Sequence, residues 1–133
     1  MRVVYPKKMP KEITLKELCD DSYDWKCVFG EECEYNCDAE VESYDETSCG
    51  PVSRADVKKI IAALNGENDS CDWVGLFLLK DGRYLAATGG CDYTGWDCQA
   101  SNTLVVGATL DSVVRFGIDD TARGRFGITL EDE

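Results

Sequence analysis

The chain has no histidine among its 133 residues, which removes the commonest general base near neutral pH and the usual partner of a serine or cysteine nucleophile. Hydrolase triads are excluded on that ground. Glycine is present, but never as G-x-x-x-x-G-K-[ST] or G-x-G-x-x-G, so a phosphate cradle of the P-loop or dinucleotide type lacks its sequence basis. Long apolar runs are missing too: the basic N-terminal stretch has no signal-peptide core, and nothing approaches the length of a membrane span. A cytoplasmic protein is expected. Positive charge is scarcest between Glu12 and Cys49, where thirteen acids face only Lys16 and Lys26.

That scarcity is regional. Positions 1–11 are basic through Arg2, Lys7, Lys8 and Lys11, and positions 50–133 carry thirteen acids against eight bases. Nearly all of the formal charge of -12 therefore sits in one segment. A chain this acidic is repelled by nucleic acid and by anionic membranes, so neither is an expected direct partner. A basic protein surface is.

Within the acidic segment Glu32, Glu34, Asn36, Asp38, Glu40 and Glu42 alternate with Cys33, Tyr35, Cys37, Ala39, Val41 and Ser43, the period-two pattern of a strand with unlike faces. One face would be a ladder of carboxylates roughly 6.7 Å apart, resembling a phosphate backbone. Tyr23, Trp25, Cys27 and Phe29 also alternate, and a three-residue loop of Gly30, Glu31 and Glu32 would match apolar to apolar across a hairpin. Residues 12–49 are thus expected to form an acidic, cysteine-rich hairpin.

Further elements follow from local chemistry. Arg2 to Tyr5 reads as an edge strand, and Thr14 with Glu17 as a capping box. Ser53 with Asp56 reads as a second box opening a helix, with Val57, Ile60, Ile61 and Leu64 on one face up to Asn65-Gly66. Asp72 to Leu79 and Arg83 to Thr88 form a hairpin about a type I′ turn at Asp81-Gly82, broken by Gly89-Gly90. Thr103 to Val106 is a strand, Thr109 caps a short helix carrying Val113, Val114 and Phe116 that Gly117 closes, and a last turn at Thr121 to Arg125 leads into an acidic tail. Residues 1–133 are expected to form a single α+β domain, a mainly antiparallel sheet of five or six strands with two or three short helices on one face. Residues 50–133 would supply its helix and β-hairpin core.

Eight cysteines in a chain without an export signal point to reduced thiols or metal ligands rather than a disulfide framework. No C-x-x-C knuckle occurs. On one extended strand Cys33 and Cys37 would lie roughly 13 Å apart, too far to share an ion held at about 2.3 Å. No cofactor is therefore expected, and zinc on Cys27, Cys33, Cys37 and Cys49 is the alternative. Asp92 and Asp97 could pair as glycosidase carboxylates do, but paired acids are common in loops, and no enzyme is expected.

The loop from Gly89 to Ser101 places Tyr93 and Trp96 among Asp92, Asp97 and Gln99. Exposed aromatics on a constrained loop are interface anchors; folded inward, the same rings would be core. The stretch from Asp72 to about Gly127, centred on WVGLFLLKDGRYLAATGGCDYTGWDCQA and ending in FGIDDTARGRFGI, resembles small uncharacterised proteins of bacteriophages and bacteria, with CDYTGWDCQ its distinctive piece. The resemblance implies a phage or bacterial setting and carries over no functional residue. The acidic part lies outside it and reads as an addition to a common platform.

These readings converge on an acidic binding module, a phage-type inhibitor of the anti-CRISPR or anti-restriction kind that mimics nucleic acid in a basic groove of a host nucleic-acid-handling enzyme. Its expected contacts are Glu32, Glu34, Asp38, Glu40, Glu42, Asp92, Tyr93, Trp96 and Asp97. The alternatives are a cysteine-based metal or redox module and an immunity or antitoxin-like binding protein.

Overall fold

A seven-residue apolar run, Trp73–Leu79, can be satisfied as a strand only if both of its faces are covered, and the rest of the chain supplies those covers. The computed structural model describes residues 2–21, 23–29, 39–43, 52–66, 72–92 and 99–131. Its elements in chain order are β1 (Arg2–Val4), α1 (Tyr23–Val28), β2 (Ala39–Ser43), β3 (Val57–Leu64), β4 (Trp73–Leu79), β5 (Tyr84–Asp92), β6 (Gln99–Gly107), α2 (Leu110–Phe116), α3 (Asp120–Phe126) and β7 (Thr129–Glu131). Short irregular turns precede two of them, at Glu17–Asp21 and Arg54–Asp56.

The strands form a five-stranded sheet in the order β2-β6-β5-β4-β3 and a two-stranded ribbon of β1 with β7. The class is α+β, as expected. Pairing is antiparallel throughout the large sheet except that β2 runs parallel to β6. The helices do not share one face. Trp25, Val28 and Phe29 of the α1 region pack with Phe77, Leu85 and Leu104 on one side, while Val113, Val114, Ala122 and Phe126 of α2 and α3 pack with Leu76, Ala86 and Val105 on the other.

The expected helix over 54–64 is a strand. The Ser53–Asp56 capping box is present but closes a single turn, after which β3 pairs with β4 through register shifts between Val57 and Lys59 and between Ile60 and Ala62. Each shift is a bulge, with Lys58 and then Ile61 the extra residue. Val57, Ile60 and Ala63 therefore reach one core although they are three apart, which imitates helical spacing in the sequence.

The expected strand at Tyr23 to Phe29 is a helix, α1, so the hairpin pairing it with the acidic ladder is overturned; positions 30–38 lie outside the described residues. Trp25, Val28 and Phe29 are also an i, i+3, i+4 set, and burial of all three on the sheet outweighs the alternation. The acidic segment is no appendage either, since Leu18 and Trp25 are fully buried and β2 is a strand of the main sheet.

Four smaller corrections concern the second half. The β4–β5 turn is three residues long, because Gly82 N–H donates to Leu79 O at 3.0 Å and Leu79 N–H to Arg83 O at 2.8 Å; Gly82 sits at φ 94°, as such a loop requires. Gly89-Gly90 does not end β5, which continues to Asp92 opposite Gln99. Phe116 is half exposed beneath the Arg115 guanidinium, 5.1 Å from its ring centre. The acidic end is in part a strand, Arg2 pairing with Glu131 in register and as an ion pair at 2.9 Å.

Candidate acidic interface

Residues 12–29 are docked by their apolar side chains, and this fixes where their acids can go. Thr14 Oγ1 accepts from Glu17 N–H at 3.1 Å, and the Glu17 carboxylate accepts from Thr14 N–H at 3.2 Å, the reciprocal box read in the sequence. The turn that follows is tied to the loop before β3, for Arg54 donates to Leu18 O at 2.9 Å and Cys19 Sγ to Arg54 O at 3.4 Å. Beyond it Trp25 stands edge-on to Phe77 at 5.8 Å between centroids and donates from its indole to Asn65 Oδ1 at 2.8 Å. Asn65 N–H in turn donates to the Glu12 carboxylate at 2.8 Å. With Ile13, Leu18, Trp25, Val28 and Phe29 buried, Glu12, Glu17 and Asp20 are left on the outside.

The later part of the acidic segment returns as β2, the outermost strand of the sheet among the described residues. Glu40 and Glu42 occupy the register positions of Thr103 and Val105, and Val41 that of Leu104. Glu32, Glu34 and Asp38 lie outside the described residues, as do Tyr93, Trp96 and Asp97; Asp92 is the last residue of β5. The strand order nonetheless relates the two predicted groups. Ala39 opens β2 opposite Asn102, and Gln99, opposite Asp92, opens β6 three residues earlier. The entry to β2 and the end of the β5–β6 hairpin thus share one end of the sheet, about 10 Å apart along the strands and two strand spacings, about 9.6 Å, across.

Among the described residues no group of three or more acids or thiols could hold an ion, and most of the expected zinc set lies beyond them. Cys27 lies on α1, not on a strand diagonal to Cys33 and Cys37 as the hairpin would have it; Cys33, Cys37 and Cys49 fall outside the described residues.

Two polar contacts shift titrations elsewhere. Arg83 N–H, reinforced by the Arg83 guanidinium at 2.7 Å, holds Asp81 below the usual carboxylate range. Burial, and then the hydrogen bond its hydroxyl donates to Asp111, push Tyr5 well above the usual phenol range.

One feature escaped the sequence reading. Lys7, Lys8 and Lys11 help line a groove beside β3; the basic run at 1–11 was the signal, but its pairing with β3 was not legible. No protein-family model matches this chain, and no match was found among curated proteins or solved structures.

Proposed function

We propose that this chain is an acidic protein-binding module whose β2 edge and neighbouring hairpin end occupy a basic groove of a nucleic-acid-handling enzyme, acting as a nucleic-acid mimic of the phage-inhibitor type rather than as an enzyme. The observation that carries the reading is the convergence of β2 and the Asp92 end of β5 at one end of the sheet, in a chain whose negative charge is concentrated in residues 12–49. Anchoring of the first half of that segment in the core favours a preformed acidic surface, which lowers the ordering cost of binding. Concentrated charge of one sign also gives fast, salt-sensitive association with a basic partner.

The test is displacement. Host lysate is loaded on immobilised DNA and eluted with the purified chain, with an unrelated protein of equal net charge as control. Selective elution of a particular DNA-binding protein by this chain supports the mimic; identical elution by the control, or none by either, removes it.

A further inference from the structure

The groove at Lys7–Lys11 is built by two features that the acidic interface does not use. The strap carrying it is pinned at both ends: β1 pairs with β7, and beyond the lysines Ala63 N–H donates to Pro10 O and Glu12 N–H to Ala63 O, each at 2.9 Å, around a parallel bridge of Lys11 with Ala63. The second feature is the bulge in β3 whose extra residue is Ile61. Bulges at sheet edges re-aim a side chain, and Ile61 lines the groove with Met9 and Pro10, while Lys7, Lys8 and Lys11 supply its charge. The groove measures about 590 Å³, within the range of small-molecule sites.

We propose that this groove binds a small organic anion with an apolar body, its acidic head held by the lysines and its body lying on Met9, Pro10 and Ile61. Among the described residues none of the three ammonium groups has a carboxylate within ion-pair distance, although the chain holds 26 acids. The size of the ligand follows from the field. A polyanion is repelled along its length by the net charge, whereas a ligand bearing one or two charges meets the lysines lining the groove and the acidic segment only through screening. An acidic peptide adding as a strand is disfavoured because the bulges at Lys58 and Ile61 interrupt this edge. The mixed lining, three lysines beside Met9, Pro10 and Ile61, selects against inorganic anions and against cationic amphiphiles alike.

The test uses decanoate below its micellar concentration, titrated calorimetrically into the full chain at moderate salt, with decyltrimethylammonium and inorganic phosphate as comparisons. One saturable decanoate site is expected, weakened at least tenfold in the Lys7→Gln, Lys8→Gln, Lys11→Gln variant, whose substitutions fall on exposed side chains and leave the melt unchanged. Lys80→Gln, at an exposed lysine away from the groove, should bind decanoate as the parent does, and an equal weakening there would overturn the proposal. Absence of saturable binding, equal affinity for decyltrimethylammonium or for phosphate, or undiminished affinity in the triple variant would overturn the proposal.

Discussion

Replacing Trp25 by alanine probes whether the acidic segment is truly part of the core. The side chain is fully buried, edge-on to Phe77, and hydrogen-bonded to Asn65. Truncating a buried tryptophan to alanine costs about 3–5 kcal/mol, and loss of the indole donor adds little, since Asn65 is exposed and water can replace it. Against a total stability of about 5–15 kcal/mol, Trp25→Ala should move the urea midpoint by about 2 M for a slope near 2 kcal/mol/M. The milder Trp25→Phe and Asn65→Ala, combined in a double-mutant cycle, isolate the indole contact and should couple by about 0.5–1.5 kcal/mol. A loss below about 1 kcal/mol in Trp25→Ala together with no coupling in the cycle would refute the docking of residues 23–28 on the sheet.

Three further outcomes are expected. Gly75→Ala places a Cβ 2.3 Å from the Phe77 ring, itself fully buried, so overpacking should lower stability by about 1–3 kcal/mol by denaturant titration. Arg123→Met removes the guanidinium that donates to Val114 O at 2.9 Å and Ile118 O at 2.7 Å; with these buried carbonyls unsatisfied, about 2–3 kcal/mol should be lost in the same assay. Tyr5→Phe should change the pH dependence: because the folded protein raises the Tyr5 pKa above its unfolded value near 10, the contribution is full below that pH and fades as pH rises past it. Melts of parent and variant should therefore differ most below pH 10 and converge above it; a constant difference would show that the hydroxyl is not the cause.

The β4–β5 hairpin and α2 were legible because one local rule governs each: a glycine turn between apolar runs, and a threonine cap before paired valines. Elsewhere two periods competed. Bulges gave β3 the spacing of a helix, and Trp25, Val28 and Phe29 hid a helical triplet inside an alternation that read as strand. The parallel pairing of β2 with β6 joins residues some sixty apart, and no local signal encodes such a partner. Of the candidate site, the alternating acids at Glu40 and Glu42 did fall on a strand, whereas their nearness to the end of the β5–β6 hairpin depended on that long-range pairing.

The central claim, that the acidic β2 edge drives recognition, is tested most directly by measuring the affinity of the Glu40→Lys, Glu42→Lys variant for the protein displaced from DNA, from 50 to 200 mM salt. The account predicts at least a tenfold loss at low salt that narrows as salt screens the parent's attraction, roughly over a Debye length of 8–10 Å. Affinity equal to the parent's at every salt concentration, in a variant with an unchanged melt, would contradict it.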